Sequence, residues 1–208
     1  MMIKLTYFDF NFWRIDILRL SLSYGQIPYE LNQIKREDWL KEKNKFPFGQ
    51  LPVMDFNGML FGHTHSLAIF CATKSNLYDA NDENALIINQ VLDWANDITI
   101  KIAPSIREKN PEKAKKKREF FIRNDLTTWF VFLQDLLQRT STNKNFFTDK
   151  FSLADITAWR LIYWFKSGKL DQINSNFLDD FKVLKSYFEN LSNYKPLNEL
   201  KEYSEIIS

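Results

Sequence analysis

The sequence predicts a small α/β unit of element order βαβαββα followed by an all-α unit. Three observations carry this. Short strand-like and helical runs broken by turn residues fill the chain to about Ser75, and after Tyr78 long 3.6-residue periods replace the strand patterns. The 208 residues include only 5 Gly and 6 Pro, well under the roughly 12% Gly plus Pro of an average globular chain. Pro47, Gly49, Pro52, Gly58 and Gly62 crowd into one stretch, leaving the rest free for uninterrupted helices.

Taken in order, Ile3 to Phe8 reads as a strand. Arg14 to Tyr24 reads as a helix with Ile15, Leu18 and Leu22 on one face and Gly25 just past its end. Tyr29 to Ile34 is a second strand after Pro28, and Asp38 to Asn44 supports only a short helix around Trp39. Leu51 to Phe56, the dipeptide Asn57-Gly58, and Met59 to Phe61 form a hairpin, because Asn and Gly tolerate the positive φ that a tight turn needs. Ser66 then opens an apolar helical segment. Beyond the linker Asn76 to Asn81, one helix carries Leu86, Val91, Trp94, Ala95, Ile98 and Ile102, and another carries Phe121 to Leu137. Ser152 to Phe165, ended by Gly168, and Leu178 to Leu191 follow, with a shorter helix after Pro196.

Composition excludes several classes of function. With 28 Lys+Arg against 26 Asp+Glu, no global field exists to hold nucleic acid or an anionic membrane. A lone Cys71 rules out an intrachain disulfide, and two histidines without a second thiol leave little for structural zinc. Residues Met1 to Phe12 lack a signal-peptide pattern, and no apolar run approaches the roughly 18 residues of a membrane span. A cytoplasmic protein with no nucleic-acid and no membrane partner is expected.

The chemically informative stretch runs Phe46-Pro47-Phe48-Gly49-Gln50-Leu51-Pro52-Val53-Met54-Asp55, then Asn57-Gly58, then His65-Ser66-Leu67-Ala68-Ile69. A proline heading a strand removes a backbone donor and, if cis, turns the main chain of the residue before it outward. Leu51 would then offer its N–H and C=O to an extended peptide. Ser66, near a helix start, would offer its hydroxyl and free N–H groups to a carboxylate. Together they suit a short acidic peptide.

These residues, with Lys4-Leu5-Thr6-Tyr7-Phe8, Tyr29-Glu30, Asp38-Trp39 and Lys43, resemble the sigma-class cytosolic glutathione transferases, a group that includes the haematopoietic prostaglandin D synthases. The resemblance is dense over residues 3–75. In the second half it rests on helix order and on Phe151-Ser152-Leu153-Ala154-Asp155, which looks like the family's N-capping box. It implies a thioredoxin-like N-terminal domain binding glutathione over residues 1–78. An all-helical C-terminal domain over 82–208 would carry the electrophile pocket wall.

The resemblance further implies roles for individual residues. Tyr7 would donate its hydroxyl to the glutathione sulfur, and a bond to the charged form of a thiol favours that form. Arg14 would add electrostatic support to the thiolate, its alternative being a surface arginine. Trp39 and Lys43 would reach the glycine end of glutathione, Gln50 and Leu51 the cysteinyl region, with Pro52 the cis-proline. Ser66 and His65 would take the γ-glutamyl carboxylate. Asp97 would reach across a homodimer to the partner's γ-glutamyl ammonium, or else be an exposed helix carboxylate. Phe8, Trp13, Ile100 and Ile102 would wall the electrophile pocket. Glutathione is expected as co-substrate, and no metal, since Asn96 dilutes the acidic pair Asp93 and Asp97.

Departures from the family pattern concern the site itself. The loop Asp9-Phe10-Asn11-Phe12-Trp13 is one residue longer than its relatives and lacks their Arg-Gly, and His65 replaces a usual Gln or Glu. The expected activity is conjugation of the glutathione thiolate to a small hydrophobic electrophile. The altered loop keeps open a glutathione-binding protein with little catalysis, as in lens crystallins of this class, besides a glutathione-dependent isomerase. A further alternative is an interaction scaffold. Cys71 sits in an apolar run and is expected to pack as a small hydrophobe, and the basic run Lys113 to Arg118 to be a solvated helix face.

Overall fold

The computed structural model describes residues 2–141 and 145–208. Two compact units emerge, one of residues 1–80 with 194–208 and one of residues 81–193. Among the described residues there is no helix long and apolar enough to cross a membrane.

In the first unit, strands β1 (Ile3–Phe8), β2 (Tyr29–Ile34), β3 (Val53–Phe56) and β4 (Met59–Gly62) form one mixed sheet in the order β2-β1-β3-β4. β1 and β2 run parallel from Ile3↔Tyr29 to Phe8↔Ile34. A parallel pair needs a crossover, which α1 (Trp13–Tyr24) supplies. Ile15, Leu18 and Leu22 are buried as their spacing predicts, but so are Ile17, Leu20, Asp16, Arg19 and Ser21. A helix covered on almost every side is a core helix. It packs against α3 (Thr64–Lys74) and against two short C-terminal helices, α9 (Lys195–Asn198) and α10 (Lys201–Ile207).

The α1 and α3 ends meet closely at Gly25, where a Cβ would lie 2.5 Å from the Ser75 hydroxyl oxygen. The β3–β4 hairpin turns through Asn57 and Gly58, with φ of 57° and 76°, the doubly positive pair of a type I′ turn. Three elements differ from the sequence reading. α2 is a single turn, Trp39–Glu42, continued by a 3₁₀ turn at Lys43–Lys45 and then by a tight turn at Pro47–Gly49 in which Phe48 and Gly49 have positive φ. β3 begins at Val53 rather than Leu51, and α3 begins two residues before Ser66.

The second unit holds α4 (Asp82–Ile106), α5 (Pro111–Phe121), α6 (Thr127–Thr140), α7 (Leu153–Lys166) and α8 (Lys182–Ser192). α4 starts four residues before the first apolar residue of its period, because the Asn81 side chain accepts from the Glu83 N–H and caps it. A π-helical turn at Ile122–Leu126 joins α5 to α6 without a break, so the basic run and the Phe121 to Leu137 period share one helical column. Leu178 falls in a separate 3₁₀ turn, Phe177–Asp180. The core is aromatic. Phe130 meets Trp94, Phe165, Phe177 and Phe181 at ring distances from 4.9 to 5.8 Å, mostly edge-on, as ring quadrupoles prefer.

The predicted capping box heads α7 with both reciprocal bonds present. Its carboxylate does more than cap. Asp155 is fully buried and accepts from the N–H of Phe147 at 3.0 Å, the N–H and hydroxyl of Ser152 at 2.8 and 3.0 Å, and the Tyr187 hydroxyl at 2.8 Å. Burial pushes the Asp155 carboxyl up to about 6, with these donors limiting the rise.

Candidate active site

One register aligns most of the expected site. Val53 pairs with Thr6 on one side and with Gly62 on the other. Tyr7 follows Thr6, Leu51 and Pro52 precede Val53, and His63 to Ser66 follow Gly62. All of them therefore emerge at the same end of the sheet. The Leu51–Pro52 bond is cis, and Leu51 lies outside the β3 ladder, half-buried, with its main chain at the strand's entrance.

Tyr7 ends β1 with only 4% of its surface exposed. Its ring meets Phe8 at 5.4 Å and Phe10 at 5.9 Å, both edge-on. Phe8 also stacks on Phe10 at 5.6 Å and meets Trp39 edge-on at 5.3 Å, and Trp39 stacks on Phe46 at 6.0 Å. A continuous aromatic shelf thus runs from Tyr7 to the turn that carries Lys43. Trp39 is half-buried and Lys43 exposed, in successive short helices rather than in one. Gln50 is exposed beside Leu51.

Arg14, in the first turn of α1, lays its guanidinium over the Trp13 ring at 4.7 Å. It also donates to the Thr64 hydroxyl at 3.4 Å. Thr64 is the first residue of α3, so Arg14 ties the helix after Tyr7 to the helix that carries half-buried His65 and exposed Ser66. This link was invisible in the sequence, where Thr64 looks like a loop residue. Also unforeseen is His63, whose backbone has φ 69° and whose ring lies 4.3 Å from that of Phe48. Phe48 itself has φ 58° and is 71% exposed. Phenylalanine rarely adopts that conformation, and the Pro-Phe-Gly spelling of the turn was the available signal.

The remaining expected residues divide. Phe8 is half-buried and Trp13 buried. On α4, Ile100 is 58% exposed and Ile102 fully buried, because two helical steps turn a side chain through about 200°. Asp97 is exposed on the same helix. It borders a groove of about 600 Å³ in the helical unit, lined by Trp94, Trp129, Phe132, Leu133 and Leu136. Among the described residues no group of three or more His, Cys, Asp or Glu could hold a metal ion.

Comparison with known proteins gives concordant results. Residues 96–205 match the family model described as glutathione S-transferase, C-terminal domain. A glutathione S-transferase of Anopheles gambiae is 28% identical over 171 residues, covering 80% of this chain and 79% of that protein. The solved prostaglandin synthase D of Nilaparvata lugens superposes with a TM-score of 0.78 at 25% identity, over 96% of each chain. The sigma class glutathione transferase of Fasciola hepatica shares the fold, with a TM-score of 0.80 at 19% identity over 100% of this chain and 97% of that one.

Proposed function

This chain belongs to the glutathione S-transferase family, and on that premise we propose that it conjugates glutathione to a hydrophobic electrophile, with Tyr7 stabilising the thiolate. The observation that carries the reading is the shared register Thr6↔Val53↔Gly62, which gathers Tyr7, Leu51, Pro52, His65 and Ser66 at one end of the sheet. Glutathione lies extended along the Leu51 main chain, bonded as a further strand would be. Its γ-glutamyl carboxylate is taken by Ser66 and His65 at the start of α3, where the helix dipole favours an anion. Trp39 and Lys43 serve the glycine carboxylate, and Gln50 adds a side-chain contact.

The Tyr7 hydroxyl donates to sulfur, and Arg14 adds positive charge from the start of α1. Both favour the ionised thiol, so more nucleophile is present at neutral pH. The thiolate then attacks the electrophile. Ligand binding belongs to the domain of residues 1–78, in a homodimer whose Asp97 serves the partner's γ-glutamyl ammonium, in the cytoplasm.

Conjugation with 1-chloro-2,4-dinitrobenzene tests the reading. Tyr7→Phe should lower kcat/KM roughly ten- to hundred-fold and raise the pH midpoint of its profile. Unchanged conjugation would remove Tyr7 from its role. Retention of the parental protein on a glutathione column, with no turnover of a panel of electrophiles, would mark a binder instead.

A further inference from the structure

The loop of residues 9–12 joins the strand ending in Tyr7 and Phe8 to the helix beginning with Trp13 and Arg14, so its geometry sets where both site residues stand. The Asp9 N–H extends the β1–β2 pairing by donating to the Ile34 carbonyl at 3.2 Å. Phe10 packs on Tyr7 and Phe8 and lies under the Arg36 guanidinium at 5.8 Å. The Phe12 carbonyl accepts from the N–H groups of Ile15 and Asp16, both at 3.0 Å.

Asn11 points elsewhere. Its Nδ2 donates to the backbone carbonyl of Glu205 in α10 at 2.8 Å, and its Oδ1 accepts from Arg19 at 3.3 Å. Arg19 in turn donates to the Glu205 carboxylate and to the Tyr29 hydroxyl, lies 3.6 Å from Asp16, and is only 6% exposed. Tyr29 donates to Glu202 at 2.6 Å, and Lys201 pairs with Glu205 at 3.3 Å. Burial alone would lower the Arg19 guanidinium, but its bonds to Tyr29 and Glu205 and the charge of Asp16 outweigh this and hold it above its ordinary value. The cluster joins the last helix of the chain to the loop beside Tyr7.

We propose that Asn11, held by Arg19 and by Glu205 of α10, is a positioning residue that fixes loop 9–12 so that Tyr7 and Arg14 converge on the glutathione sulfur. This rests on the thiolate reading of Tyr7 given above. Four loop residues left to wander would each regain backbone freedom that the native loop has given up. A small displacement of a reacting group costs rate steeply. The loop and α10 therefore belong to one device, joined through Asn11, Arg19 and Glu205.

Conjugation of 1-chloro-2,4-dinitrobenzene across pH, beside thermal unfolding, tests this on the full chain. The proteins compared are the parental one, Asn11→Ala, Glu205→Ala, Glu205→Gln and, as reference, Tyr7→Phe. Asn11→Ala and Glu205→Ala should each lower kcat/KM at slightly acid pH about three- to ten-fold, mainly through kcat, and raise the profile midpoint by about half a unit to one unit. The glutathione KM should move little in both, and the melting temperature should move little in Asn11→Ala, since Asn11 is exposed, whereas Glu205→Ala, which strips the buried Arg19 of a carboxylate, should also melt lower. Glu205→Gln, which keeps an acceptor for Arg19, should recover most of the loss.

A midpoint that stays in place in Asn11→Ala, or a lowered melting temperature with an unmoved midpoint, would overturn the positioning role. If Tyr7→Phe is impaired while Asn11→Ala is not, the brace alone fails. If the parental protein does not turn over, or Tyr7→Phe equals it, the thiolate reading fails and the brace falls with it.

Discussion

Asp155 in the helical unit and Glu205 in the α/β unit are both carboxylates gripped by several donors, but one is sealed and the other retains about a third of its side-chain surface. Asp155 draws its partners from within 32 residues and closes off the start of α7. Glu205 draws Arg19 across 186 residues, and its carbonyl receives Asn11 across 194. Burial pushes Asp155 up, whereas at Glu205 the pull of Arg19 and Lys201 outweighs burial and holds the carboxyl below its ordinary value. A sealed carboxylate stabilises its surroundings. A half-open one, joined to a loop, can tune what that loop carries.

Deleting the sealed group should break the contrast most strongly. Asp155→Ala strands the N–H groups of Phe147 and Ser152 and the Tyr187 hydroxyl inside the helical unit. The loss should be on the order of 3–5 kcal/mol in chemical denaturation. The parental pH dependence should also reveal this group. Its folded value, about 6, exceeds the ordinary ~3.9, so between these the native state binds more protons than the unfolded chain. Its contribution is fully present below about pH 4 and is lost as pH rises through about 6, a fall on the order of 3 kcal/mol. Denaturation midpoints at successive pH values should follow this slope in the parental protein and not in the Asp155→Ala variant.

The open cluster should yield less. Tyr29→Phe removes the donor to Glu202, itself 7% exposed, and an acceptor for Arg19. A loss of about 1–3 kcal/mol is expected by the same measurement. A larger loss than that of Asp155→Ala would invert the comparison.

The two units also differed in how far the sequence disclosed them. In residues 1–80, Asn57-Gly58, the short strand-like runs between turn residues and Pro52 name local events, and β1, β2 and the hairpin turn lie where those signals put them. The resemblance to glutathione transferases is borne out by the family match and by the fold. α3 starts two residues before Ser66, because its N-cap is His63, a residue type without cap preference that makes no side-chain cap bond there, and Thr64 is already helical. In the helical unit, period locates the helices, but Asn81, which caps α4, reads as the end of the linker, and the π-helical turn has no signal of its own. Least legible were partners far apart in sequence. Arg19 reads as one more charge on an amphipathic helix, and nothing local announces that Glu202 and Glu205 return to meet α1.

The thiol of Cys71 is closed off from solvent. The residue is fully covered in α3, and burial pushes the thiol up to about 12. At neutral pH the thiol therefore stays protonated as well as covered, and mixed disulfides form only through a thiolate with access to its partner. The protein's lone sulfhydryl is thereby insulated from oxidised forms of the tripeptide its family employs. Ellman's reagent should find no reactive group in the native protein and one per chain after unfolding. Oxidative stress would thus leave this chain free of S-glutathionylation.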